Sequence, residues 1–238
     1  MKQFLLFTFL FVVFFQPKAQ KAFLPNSDNA HLKSSWSKEM FAKYDWQKFF
    51  GYKPANEQID LKNIDYSLLN AAVFYTTNFY RERNNLPSLK HHDVLESAAD
   101  MHANDMVKHD FFSHESPLEG KTDFTERIQL SGELRYSLAS ENIVQNFVFD
   151  YASGRGYSGS YKGDVPDFKY SNGEKIKMHS YLSLAKTLLA QWMRSPGHRA
   201  NILNRQVTHL GCGTAVKKRD TDTSFEEAYA VQVFAKVL

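Results

Sequence analysis

The chain has 238 residues, of which 43% are hydrophobic and 15% aromatic, with a formal net charge of +3. That length and apolar content suit one sizeable core, with or without an extension, and exclude a disordered tail. Cys212 is the single cysteine, which excludes an intramolecular disulfide, cysteine-based zinc fingers and iron–sulfur clusters.

Met1-Lys2 precedes an apolar run from Phe4 to Phe15, followed by Gln16-Pro17-Lys18-Ala19-Gln20. A basic start, about 12 apolar residues and a small-residue region match a secretory signal peptide over residues 1–20. The run is shorter than the roughly 20 residues that span a bilayer. A secreted, periplasmic or extracellular protein is expected, meeting the membrane only through this leader, and no nearby cysteine offers a lipidation site. Loss of Lys2 and Lys18 lowers the basic count from 29 to 27 against 26 acidic residues. The mature charge is then about +1, and nucleic acid is not an expected partner. Lys217-Lys218-Arg219, followed at once by acidic residues, reads as a solvated hairpin tip.

Residues 21–64 read as an N-terminal extension with one helix, Lys38 to Phe50, ended by Gly51 with Pro54 beyond it. The main domain is expected over residues 65–238. A helix from Ser67 to Arg83 places Leu69, Val73, Thr76 and Tyr80 on one stripe and stops at Asn84-Asn85-Leu86-Pro87. A second, Asp93 to Lys108, aligns Leu95, Ala99, His102 and Met106, so His102 reads as a hydrogen-bonded core histidine. A third, Tyr181 to Arg194, buries Leu184, Leu188 and Trp192. The period then changes: Leu210, Cys212, Thr214 and Val216 alternate, as do Tyr229, Val231, Val233 and Ala235, which predicts a β-hairpin. Cys212, inside Gly-Cys-Gly, reads as a small buried hydrophobe, and Leu138 to Val144 offers a third strand. Residues 151–178, rich in Gly, Ser, Tyr and Lys, read as an irregular insertion, either a binding loop or a flap. Helices before and between antiparallel strands imply a layered α+β domain.

Three segments carry chemistry. In Trp192-Met193-Arg194-Ser195-Pro196-Gly197-His198, Ser195 suits a helix cap and Pro196 the first helical position. His198 then sits in the first turn, where the helix dipole disfavours the imidazolium. It reads either as a ligand or base, or as a packing residue. His114 follows Phe111-Phe112-Ser113 on a loop and is open to the same two readings. Glu141-Asn142-Ile143 enters the third strand, with Asn142 suited to tying down backbone. Neither an HExxH zinc motif nor a GxSxG elbow is present.

These segments occur in a telling order: T-N-F-Y-R at 77–81, A-D-M-H-A-N-D-M at 99–106, F-F-S-H at 111–114 and E-N-I at 141–143. W-M-x-S-P-G-H-R-A-N-I-L at 192–203, L-G-C-G at 210–213 and A-V-Q-V-F at 230–234 follow. The set resembles the CAP superfamily of cysteine-rich secretory, antigen 5 and pathogenesis-related 1 proteins, in its bacterial form, over roughly residues 65–238. The resemblance implies an α+β fold, a three-layer α-β-α sandwich with a central antiparallel sheet and an open cleft. Two histidines and two glutamates line that cleft in eukaryotic members and can hold a divalent metal, often zinc. His114, Glu141 and His198 match three of the four positions, and Ser195 stands where the other glutamate usually lies. Glu126 is a candidate accessory carboxylate, and Asn142, Ser195 and Gln232 are expected to give structural support. Two histidines and one carboxylate suit zinc with a water-filled fourth position. The leading expectation is a secreted, non-catalytic module binding a small ligand, lipid or protein partner, with zinc or another divalent metal as the candidate cofactor. The alternatives are a metal-assisted hydrolase using the same cleft, and a structural or envelope-interaction protein.

Overall fold

A computed structural model describes residues 34–238. The expected leader and the first part of the extension lie outside the described residues. The extension resolves into a 3-10 turn, Lys38–Ala42, and two short helices, α1 (Trp46–Phe50) and α2 (Lys53–Asn56). The single helix expected from Lys38 to Phe50 is therefore broken. Asp45 adopts extended backbone and accepts from the Lys48 N–H, capping a new helix where the old one would have continued. Pro54, expected beyond a helix end, lies inside α2 near its start, where its missing N–H leaves no bond unmade.

The long elements follow the periodicity. Helix α3 spans Tyr66–Arg83, α4 Asp93–Lys108, α6 Tyr181–Arg194, and a shorter α5 covers Phe124–Ser131. The main sheet contains β1 (Lys90–His91), β2 (Tyr136–Phe147), β5 (His209–Lys217) and β6 (Glu227–Val237), in the order β1-β5-β6-β2. Strands β5, β6 and β2 are antiparallel, as expected, but β1 runs parallel to β5. The sheet is thus mixed, because the chain leaving α3 pairs briefly with β5 on its way into α4.

Strand alternation builds two cores. Leu210, Cys212, Ala228, Ala230 and Phe234 pack with α3 and α6 on one face. Ala215, Tyr229, Val231, Val233 and Ala235 pack with α4 and α5 on the other. The result is the α-β-α layering implied by the resemblance. Gly211 and Gly213 lie against α4: a Cβ on Gly211 would come within 2.0 Å of the Glu96 backbone nitrogen, and one on Gly213 within 2.1 Å of that of Asp100. Only glycine lets the helix settle on the strand. Cys212 between them is buried, and burial pushes its thiol well up.

One region goes further than expected and another departs from expectation. The described part of the extension belongs to the main core: Trp36 is buried among the rings of Phe41, Tyr44, Phe49, Tyr52 and Tyr75. Residues 151–178 are not an irregular loop but carry an antiparallel hairpin, β3 (Tyr157–Lys162) and β4 (Val165–Tyr170). Its Tyr161, Phe168 and Tyr170 share a separate aromatic core with Phe149, Ile176 and Phe225. That core sits beyond the Phe147 end of β2.

Candidate functional site

The β2 pleat sets the site. Register pairs Glu141 with Val233 and Asn142 with Gln232, so these two neighbours face opposite layers. Glu141 projects toward α4 and α5, and its side chain is only 1% exposed. Its Oε1 accepts from His114 Nδ1 at 2.9 Å, and its Oε2 accepts from Arg127 Nη2 at 2.8 Å. A carboxylate can only accept, so Nδ1 of His114 carries a hydrogen, and in the neutral ring the lone pair is on Nε2. The His114 ring is half exposed, 51%, on the loop between α4 and α5.

His198 reaches the same edge from the other side. It lies in α7 (Pro196–Ile202), with Pro196 in the first turn as the sequence requires. The His114 and His198 ring centroids are 6.3 Å apart. Burial lowers the His198 pKa, and the nearby His114 adds to the effect, so the ring is neutral near pH 7. Asn142 Nδ2 donates to the His198 carbonyl at 3.1 Å and to Gln232 Oε1 at 3.0 Å. Gln232 Nε2 in turn donates to Thr77 Oγ1 on α3. Asn201 Nδ2 donates to Asn142 Oδ1 and to the Glu141 carbonyl, clamping α7 onto β2. Trp192 Nε1 does the same for α6 through the Ile143 carbonyl. The backbone of His198 is thus tied to a buried amide network.

Three expectations are refined. Ser195 occupies the cap position of α7, but its side chain makes no capping bond, and its N–H goes to the Trp192 carbonyl. Glu126 is spent on the start of α5: its Oε2 accepts from the Thr122 N–H at 2.6 Å, beside the Asp123 cap. The hairpin of residues 151–178, expected as a binding loop or a flap, packs around Phe149 and Phe225. Phe147 stands six residues along β2 from Glu141, about 20 Å at the strand rise.

Arg127 is the residue that the sequence did not single out. It is fully buried and donates to four acceptors: Glu141 Oε2, the His114 carbonyl, and the Lys121 and Thr122 carbonyls. The available signal was its place on the stripe of Phe124 and Ile128, the side that α5 turns inward. His102 is the buried α4 histidine expected: its Nε2 meets the Ser113 carbonyl at 2.9 Å, and burial lowers its pKa to about 4.

A divalent metal fits these donors poorly. Both Glu141 oxygens are engaged inside the protein, which leaves two imidazoles where a zinc site uses at least three protein ligands. Among the described residues, no group of three or more His, Cys, Asp or Glu side chains is placed to hold a metal ion. Glu141 instead stands behind His114, orienting its ring as a carboxylate behind a histidine does.

The family model described as CAP, cysteine-rich secretory protein family, matches residues 74–234. The uncharacterized protein YkwD of Bacillus subtilis (strain 168) is 27% identical over 142 residues, 59% of this chain and 40% of that relative. This chain therefore spans two fifths of the length of that relative. Among solved structures, an extracellular protein containing an SCP domain from Bacillus anthracis aligns with TM-score 0.48 and 26% identity, over 74% of this chain and 42% of that one. An outer surface protein from Borrelia burgdorferi aligns with TM-score 0.46 and 15% identity, over 77% of this chain and 99% of that one.

Proposed function

Because the chain belongs to the cysteine-rich secretory protein (CAP) family, we propose that it is a secreted, non-catalytic module that binds a small ligand, a lipid or a protein partner in its histidine-lined cleft. The observation that carries this reading is the full commitment of Glu141. One oxygen holds His114 and the other holds Arg127, so Glu141 itself is not left to take a proton from a water or a substrate. Among the described residues no hydroxyl or thiol is hydrogen-bonded to either cleft imidazole, and the Cys212 thiol is buried under the sheet. What remains is an edge of two imidazoles, the His114 ring held by Glu141, suited to hydrogen-bonding a ligand.

Secretion rests on the leader-like run from Phe4 to Phe15. No helix among the described residues is long and apolar enough to cross a membrane.

Native mass spectrometry after incubation with bacterial lipid extracts and peptide pools tests the binding reading. Retained mass adducts that disappear in the His114→Ala/His198→Ala double variant support it. A bare polypeptide throughout, or adducts unchanged by the double variant, counts against the cleft as the binding site. Cleavage in a broad peptide and ester panel that depends on the same histidines would replace it with the hydrolase reading.

A further inference from the structure

Arg127 does more than neutralise a buried acid. Its side chain is sealed from solvent, and its two terminal nitrogens reach the Glu141 carboxylate and three carbonyls of the 114–122 loop. One guanidinium therefore closes that loop over Glu141 and fixes the ring of His114 through the carboxylate. A lysine, with a point charge and no fork, could not span the same four acceptors.

We propose that Arg127 is the built-in cation of this cleft. It fills the electrostatic place that a divalent ion would take beside Glu141, and so turns the cleft from metal ions toward hydrogen-bonding organic ligands. Two features favour this. Glu141 could ligate a metal only by giving up a charge-assisted bond in a site that water does not reach, leaving the guanidinium buried and unpaired. A metal held by the two imidazoles would also lie close to that fixed positive charge, which repels it. Arg127 is thus a positioning and selectivity residue: it acts on the ligand through Glu141 and His114.

This inference stands apart from the binding proposal, since a cleft that held both an organic ligand and zinc would refute only the present one. The test is a zinc titration of the full chain against a chromophoric chelator, using zinc alone. The wild type is expected to show no binding that depends on His114 and His198. Arg127→Met, similar in length and neutral, releases Glu141 Oε2 and is expected to bind zinc roughly tenfold tighter or more. Adding His114→Ala to that variant should remove the gain. An Arg127→Met protein that folds and binds zinc no more tightly than wild type overturns the proposal. So does one equivalent of zinc on the wild type that the His114→Ala/His198→Ala variant loses. Should Arg127→Met fail to fold, the wild-type titration and its double-histidine control decide the matter by the same criterion.

Discussion

Arg127 Nη2 lies 2.8 Å from Glu141 Oε2, and both side chains are sealed from water at the junction of α5 and β2. Removing one partner leaves the other charge buried without a counterion, which typically costs about 3–5 kcal/mol. Glu141→Gln and Arg127→Met are each expected to fall in that range by urea denaturation. The double variant should cost clearly less than their sum, because the stranded charge is then gone. Additive costs would show that the two residues do not act as a pair.

The glycines of β5 make a second, independent prediction. Gly211→Ala drives a Cβ into the Leu95–Glu96 backbone of α4, which cannot yield as a flexible side chain would. A loss of more than about 3 kcal/mol, or failure to fold, is expected, beyond the usual range of single substitutions. Cys212→Ala, between the same two glycines, removes only a small buried group and should cost about 1 kcal/mol. Comparable melting temperatures for the two variants would contradict the close helix–strand contact.

Acid should weaken the protein through His102. Its native pKa is about 4, chiefly because burial disfavours the charged ring, with Glu141 opposing. The unfolded value is near 6.5, so below that pH the unfolded chain binds a proton that the native state refuses. Stability is present in full above about pH 6.5 and falls as the pH approaches 4, by about 3 kcal/mol at most. His102→Gln removes the titration, so its urea midpoint should vary less with pH over that window than that of the wild type. Parallel pH profiles would show that His102 charges freely in the folded state.

The N-terminal segment should behave as part of the core. Trp36 is buried among five aromatic rings, one of them Tyr75 on α3. Trp36→Ala is expected to cost about 3–5 kcal/mol. A neutral substitution would mean that the segment is dispensable.

Much of this architecture was legible because single elements carry their own signal. Helices α4 and α6 match the expected spans residue for residue, since Leu95, Ala99, His102 and Met106, or Leu184, Leu188 and Trp192, repeat at helical spacing. Strands β5 and β6 announced themselves by alternation, which the two-sided core explains. The β3–β4 hairpin did not, because Ser158, Gly159 and Ser160 dilute its pattern. Its apolar residues pack with Phe149, Ile176 and Phe225, the last of these distant in sequence. The cleft shows the same division. His114, Glu141 and His198 were found through their motifs, whereas Arg127 beside Glu126 looked like an ordinary charged helix face. Its role appears only when α5 packs against β2 and brings Glu141 within reach.

The arrangement Arg127–Glu141–His114 is tested most directly by the ring-nitrogen NMR spectrum of His114 in the wild-type protein at neutral pH. The prediction is a hydrogen on Nδ1, slowly exchanging because it is donated to Glu141, with Nε2 unprotonated and unchanged by added zinc. A hydrogen on Nε2 with Nδ1 bare, or Nε2 signals that move stoichiometrically with zinc, would contradict it.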